Sequence, residues 1–193
     1  MDVARKAARP GPGRLRIIGG EWRGRRLAFP SRPGLRPTPD RVRETLFNWL
    51  APVLPGARCL DLFAGSGCLG LEALSRGAAE AWLVEHDPLL ARTLSEHVAR
   101  LGAHARVIRD DARRVLKRAA AGAERFDIVF LDPPYREPLE PWLASLGAVL
   151  APGAHIYAER PMPGGLPSGP EGKWVKRSHA GGVEFGLWVL VPE

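Results

Sequence analysis

Asp132, Pro133, Pro134 and Tyr135 are the four consecutive residues that offer the most chemistry in this chain. They follow the apolar run FDIVFL (126 to 131), which reads as a buried strand, so they stand where that strand ends. Proline fixes φ and carries no N–H. Two in succession make a rigid segment whose backbone carbonyls are left to accept hydrogen bonds. Asp132 adds a carboxylate acceptor and Tyr135 a flat face. A planar substrate with an amino group, such as a nucleobase, matches that set. The plainer alternative is a Pro-rich exit from a strand.

A second group lies upstream. DLFAGSGCLG (61 to 70) carries GxGxxG at Gly65, Gly67 and Gly70 between a strand and a helix, the setting of a nucleotide-type cofactor loop. Alone, the pattern equally suits a nicotinamide enzyme. Asp61 argues for another ligand. It stands four residues before the first glycine, where dinucleotide loops usually have an apolar residue. A carboxylate there repels pyrophosphate and attracts an ammonium group, and S-adenosylmethionine has an ammonium and no phosphate. Glu85, at the end of AWLVE, can take two ribose hydroxyls through its two oxygens. Asp110, Asp111 and Ala112 follow the next strand. There Asp111, immediately before a helix, is the preferred acceptor for an adenine amino group. Four acidic positions thus fall at the C-terminal ends of strands, the edge where open α/β sheets bind ligands.

The elements that must hold these residues alternate. Strands are expected at 58–63, 81–85, 106–109, 126–131 and 155–159, with helices near 69–76, 88–101, 112–121 and 138–150. That order implies a mostly parallel, Rossmann-like sheet covered on both faces. WVKRS and VEFGLWVLV then read as a C-terminal antiparallel hairpin turning at HAGG. Ahead of the sheet, LRII (15 to 18) and RRLAF (25 to 29) flank GGEWRG as a small basic β-hairpin. A helix is expected to start at Thr38-Pro39-Asp40, capped by Thr38, with Val42, Leu46 and Trp49 on its apolar face. The expected division is a disordered basic tail over 1–13, the hairpin and helix over 14–50, and one α/β domain over 51–193.

Charge is concentrated at one end. Residues 1–43 hold twelve Arg and Lys against three acids, a net +9, whereas the remaining residues sum to −2. Such asymmetry points to a polyanion gripped by the N-terminal part, the alternative for the first thirteen residues being a solvated tail. Arg16, Arg23, Arg25, Arg26, Arg36 and Arg41 are the candidate RNA-binding residues. Five scattered histidines and two cysteines show no metal-ligand spacing, and two cysteines suit a reducing cytoplasm. No apolar run is long enough to cross a membrane, and the N-terminus has no apolar core of a secretion signal. Cys59 reads as a core residue and Cys68 has no general base nearby, so cysteine nucleophilic catalysis is not expected.

DLFAGSG, Glu85, Asp111-Ala112 and DPPY together resemble a class I, Rossmann-like amino-methyltransferase. RIIGGEWRGRRL (16 to 27), RPTPDRVRETLFNWL (36 to 50), DLFAGSGCLGLEALSRGA (61 to 78) and FDIVFLDPPY (126 to 135) are similar to the RsmD family, which methylates guanine N2 in bacterial 16S ribosomal RNA. Cys68, where a small alanine is common, Glu96-His97 and the Pro/Gly-rich stretch 161–172 depart from that pattern. The resemblance implies that Asp61, Gly65 and Gly67 cradle the methionine part of S-adenosylmethionine, with Phe63 beside them. It implies Glu85 for the ribose and Asp111 with Ala112 for the adenine. Asp132 through Tyr135 would hold the target amine. Arg36-Pro37-Thr38 would close over the site, Thr38 as a cofactor contact, with Arg41 and Arg43 on the helix behind; plain packing of that helix is the alternative. The expected partner is 16S rRNA or the small ribosomal subunit, with no metal, no membrane and a monomeric enzyme. Rival readings are an amino-methyltransferase on another RNA, DNA adenine or protein glutamine, and a non-catalytic RNA-binding assembly factor.

Overall fold

The computed structural model describes residues 11–35, 37–167 and 172–190. Arg36 and most of the expected tail therefore lie outside the described residues, as does part of the stretch 161–172. β1 (Gly13–Arg16) and β2 (Arg26–Phe29) pair antiparallel as a two-stranded hairpin. α1 (Asp40–Leu50) follows. The main chain then alternates through β3 (Arg58–Asp61), α2 (Gly70–Ser75), β4 (Glu80–Val84), α3 (Pro88–Leu101), β5 (Ala105–Ile108), α4 (Ala112–Ala121), β6 (Phe126–Leu131) and α5 (Glu140–Leu146). β7 (Leu150–Pro161), β8 (Gly172–Ala180) and β9 (Val183–Leu190) complete the sheet. Its strand order is β5-β4-β3-β6-β7-β9-β8. β5, β4, β3, β6 and β7 run parallel, and β9 is antiparallel to both β7 and β8. The chain crosses from β5 back to β6 beside β3, so a switch point opens above the ends of β3 and β6.

Because side chains alternate along a strand, the sheet has two cores. One face carries Cys59, Leu83, Ile128, Phe130, Tyr157 and Phe185, covered by α1, α2 and the hairpin. The other carries Leu60, Val84, Val129, Leu131 and Ile156, covered by α4 and α5. Leu15, Ile17, Trp22, Leu27 and Phe29 of the hairpin share the first core.

The helix starts depart from expectation at α1. Its N-cap is Pro39, and no side chain caps it. Thr38 is buried instead, its carbonyl accepting from Arg43 Nε at 3.2 Å. Asp87 and Asp111 do cap, each accepting two backbone N–H groups at the starts of α3 and α4. α1 also buries a wider face than Val42, Leu46 and Trp49. Arg43, Phe47 and Leu50 are buried and Trp49 only half so. Arg43 is thus not a surface cation: its side chain is 2% exposed and meets the fully buried Glu72 at 3.1 Å. Arg76 Nε meets the other Glu72 oxygen at 2.7 Å, and Ile18 N donates to Glu72 at 2.9 Å. This network joins hairpin, α1 and α2. A buried arginine with two carboxylates, Glu72 and Asp40, and two carbonyls as acceptors is satisfied where a lone one would not be.

Candidate active site

The acidic strand ends converge on the face covered by α1. Asp61 closes β3, and Glu85 follows β4 on the same side. Asp132 comes one residue after β6. Asp61 pairs in register with Phe130, so Asp132 stands one pleat above it on the adjoining strand.

The glycine loop explains how Asp61 and Glu85 are held. Gly65 and Gly67 have φ of +53° and +81°, which glycine adopts without strain. Gly70 begins α2 so close to the sheet that a Cβ there would lie 2.2 Å from Leu83 Cδ2 and 3.3 Å from Asp61 Oδ2. Gly70 N donates to Asp61 Oδ2 at 3.1 Å. Gly65 N donates to Glu85 Oε2 at 2.9 Å, and Asp87 N to Oε1 at 2.7 Å. Oε2 therefore keeps one acceptor site, while Oε1 also has the exposed His86 Nδ1 at 3.3 Å. Burial pushes the Asp61 carboxyl up to about 7, against the help of the Gly70 and Phe63 N–H groups, and nearby Glu85 raises it further. Ser66 Oγ is buried with no hydrogen-bond partner among the described residues.

DPPY is arranged differently from expectation. Both proline carbonyls are engaged. Arg160 Nη1 donates to Pro133 O at 3.3 Å, and Glu137 N donates to Pro134 O at 2.8 Å. Arg160 Nη2 also donates to Glu137 O. The segment folds back into a turn at Tyr135-Arg136, and the arginine ties that turn to β7. Pro133 O retains a second lone pair. Tyr135 is 53% exposed. Burial raises the Asp132 carboxyl well above its ordinary range, Glu159 and Asp61 add to that, and Arg160 opposes it.

The other expected residues are more spread. Asp111 is exposed and spends Oδ1 on the N–H groups of Arg113 and Arg114 at 2.9 and 3.2 Å. Asp110 is tied to Arg118 at 2.6 Å, which leaves Asp111 the more available of the two. Ala112 is buried at the start of α4. Phe63 points to the opposite face and meets Trp142 edge-on at 5.0 Å between centroids. Thr38 hydrogen-bonds Glu159 and approaches Cys68. Burial pushes the Cys68 thiol up to about 11 and the Cys59 thiol higher still.

The arginines do not gather at Asp132. Arg23, Arg25 and Arg26 are exposed around the hairpin turn. That turn docks on the C-terminal end of α2, where Trp22 N meets Ser75 Oγ at 2.9 Å and Ser75 Oγ meets Gly19 O at 2.6 Å. α2 starts at the glycine loop and runs away from it, so the turn lies at the other end of the helix from Asp61. Arg16 is exposed beside Asp40 at 2.8 Å, and Arg41 is exposed on α1. Among the described residues no His, Cys, Asp and Glu cluster could hold a metal, and no helix is long and apolar enough to cross a membrane.

Glu159, Tyr157 and Arg160 are part of this edge and are not among the expected site residues. The sign is present in the sequence: HIYAE ends in an acid as AWLVE does.

The family model described as Conserved hypothetical protein 95 matches residues 15–188. The chain is 48% identical over 189 residues to the Escherichia coli K12 ribosomal RNA small subunit methyltransferase D, covering 95% of this chain and 94% of that one. The Haemophilus influenzae protein of the same name is 45% identical over 153 residues, with 76% and 79% covered. Among solved structures, Escherichia coli yhhF superposes with a TM-score of 0.81 at 46% identity, over 91% of this chain and 97% of that one. Matched over most of its length by the family model and by these relatives, the chain belongs to the Conserved hypothetical protein 95 family, that of the RsmD-type methyltransferases its motifs resemble.

Proposed function

We propose that this chain transfers a methyl group from S-adenosylmethionine to the exocyclic N2 amine of a guanine in 16S ribosomal RNA. The observation that carries this reading is the adjacency of Asp61 and Asp132 at the switch point. One dry carboxylate braces the glycine loop and the other faces out beside an aromatic ring, so a cationic donor and a planar amine can meet between them.

The residues present fit the cofactor. Asp61, raised by burial in the absence of a cation, suits an ammonium group. Ser66 Oγ lacks a partner that a polar ligand could supply. Glu85 Oε2 retains an acceptor site for a ribose hydroxyl, Oε1 can take the second where the exposed His86 gives way, and Asp111 has an oxygen to spare for the adenine amino group. Bound there, S-adenosylmethionine supplies a methyl group on a positively charged sulfur.

The chain's own contribution is at the amine. The guanine N2 lone pair is delocalised into the ring. Asp132 accepts one of its N–H bonds and the second lone pair of Pro133 O can accept the other, which localises the nitrogen lone pair. Positive charge grows on the nitrogen during transfer, and the Asp132 carboxylate stabilises it. The same carboxylate is placed to take the proton that the methylated nitrogen loses. Tyr135 offers its ring to the base, which must leave its stack to reach the pocket. The reading takes the chain to act as a cytoplasmic monomer, on free 16S rRNA or on the small subunit, with the N-terminal arginines holding phosphates.

Single-turnover methylation tests it. Wild type should methylate 16S rRNA or small subunits and bind S-adenosylmethionine but not NAD by calorimetry. Asp132→Ala should keep cofactor binding and lose about 100-fold or more in rate. Wild-type rates in Asp132→Ala, methylation of DNA or of a glutamine peptide instead, or binding of NAD alone would each overturn the reading.

A further inference from the structure

Glu159 stands beside Asp132. Leu131 of β6 pairs with Ala158 of β7, and the two acids each follow one residue later. Neighbouring strands lie about 4.8 Å apart, so the two backbones present their carboxylates side by side. By alternation both project to the face of Phe130 and Tyr157. Glu159 is only 3% exposed. Tyr157 Oη donates to Glu159 Oε2 at 2.6 Å, and the Thr38 hydroxyl also hydrogen-bonds it. Glu159 has no ion pair among the described residues. Arg160, next along β7, turns to the carbonyls of Pro133 and Glu137 on the other side.

We propose that Glu159 is a positioning residue for methyl transfer, the buried member of a carboxylate pair whose charge governs when the half-buried Asp132 is the anion the target amine needs. This rests on the role given to Asp132 above. Two carboxylates in a dry edge cannot both ionise freely. Burial raises the Glu159 carboxyl as well, but its two hydroxyl donors oppose that rise, whereas burial, Glu159 and Asp61 all push Asp132 up, so in the cofactor-free protein the proton falls to Asp132. The surrounding groups agree in sign. Asp61 on β3 adds negative charge, and Arg160 on β7 partly offsets it. Tyr157 and Cys68 are both raised and stay neutral, contributing no charge. Arg43 of α1 lies behind Cys68 and is committed to Glu72.

Glu159 as an anion raises the pH at which Asp132 ionises. Glu159→Gln removes that charge and keeps the shape, so Asp132 should ionise at lower pH. At strand spacing, even with strong screening, the change in Asp132 proton affinity should be about ten-fold or more. Tyr157→Phe removes one donor to Glu159, makes Glu159 easier to neutralise and should move Asp132 the same way by less.

Two readouts decide it. The first is a carboxyl-carbon NMR titration of the cofactor-free protein, wild type and both variants, with Asp132→Asn to identify the resonance. The second is the pH dependence of kcat/KM for ribosomal RNA methylation, whose acid limb reports the free enzyme. Downward movement of the Asp132 midpoint and of the acid limb, in Glu159→Gln or, should that variant not fold, in Tyr157→Phe, is the expected result. An unmoved midpoint overturns the pair, as does a rate loss equal at every pH, which is what a merely structural glutamate would give. A wild type that titrates as expected but methylates no ribosomal RNA would refute the proposed function and leave the pair standing.

Discussion

Asp61→Asn should make the cofactor-free protein more stable at pH 8 while weakening its cofactor. The wild-type carboxyl is pushed from its ordinary 3.8 up to about 7, first by burial. A carboxyl raised on folding contributes stability at low pH and loses it as pH rises through the raised value. The gap corresponds to on the order of 4 kcal/mol once Asp61 is fully ionised. Asparagine removes that cost. Its amide oxygen can keep the bond from Gly70 N, but its NH2 then faces the Phe63 N–H, a conflict of about 1 to 3 kcal/mol. The net gain at pH 8 should be about 1 to 3 kcal/mol, which for a chain this size raises Tm by roughly 2 to 12 °C. At pH 5, where Asp61 is already largely protonated, the gain should vanish or reverse. Affinity for S-adenosylmethionine should fall by about 1.5 to 3 kcal/mol through removal of one charge-assisted hydrogen bond. Urea unfolding at both pH values and calorimetry with the cofactor measure these quantities. A stability difference that does not change between pH 5 and pH 8 would refute the argument that Asp61 is held ionised at a cost.

Arg43→Met should cost about 3 to 5 kcal/mol in urea unfolding because it removes the buried cation from Glu72, which is left with Arg76 and the Ile18 N–H, and adding Glu72→Gln should recover part of that loss. Gly70→Ala should cost about 1 to 3 kcal/mol and lower cofactor affinity, since its Cβ would meet Leu83 and crowd Asp61; unchanged Tm and affinity would mean that the helix–sheet spacing is not critical. Neutralising Arg23, Arg25 and Arg26 together should flatten the salt dependence of RNA binding, the log–log slope changing by about 0.7 to 0.9 for each phosphate no longer neutralised. An unchanged slope would show that the hairpin turn does not hold RNA.

The sheet is legible in the sequence because its strands announce themselves as apolar runs followed by acids or glycines. β6, α3 and α4 fall on their expected bounds. Four acids stand out by their position at strand ends. The same rule applied to HIYAE finds Glu159, which otherwise reads only as a strand end. Arg43 is expected on the helix behind Arg36-Pro37-Thr38, and only its i, i+3, i+4 spacing with Leu46 and Phe47 hints that it is buried. Its partner Glu72 is 29 residues away, a distance no local pattern spans. Thr38 looks like a helix cap because threonine before Pro-Asp usually is one; its hydroxyl has a buried carboxylate to satisfy instead. The proline carbonyls look open because proline lacks a donor, but Glu137 N folds back onto Pro134 O, and nothing local reveals that Arg160 comes across from β7 to Pro133 O.

The hairpin's anchoring has a consequence for how the chain is made. Gly19 and Trp22 bond to Ser75, residues 53 to 56 positions later. A hairpin of two short strands is marginal by itself. The hairpin leaves the ribosome before α2 and must therefore wait for that helix before its apolar side is covered. At elongation rates of about 5 to 20 residues per second that interval is roughly 3 to 11 s. During it, Leu15, Ile17, Trp22, Leu27 and Phe29 face solvent among Arg16, Arg23, Arg25 and Arg26. Like charges repel, so those arginines oppose contact between exposed copies of the segment until helix and hairpin meet.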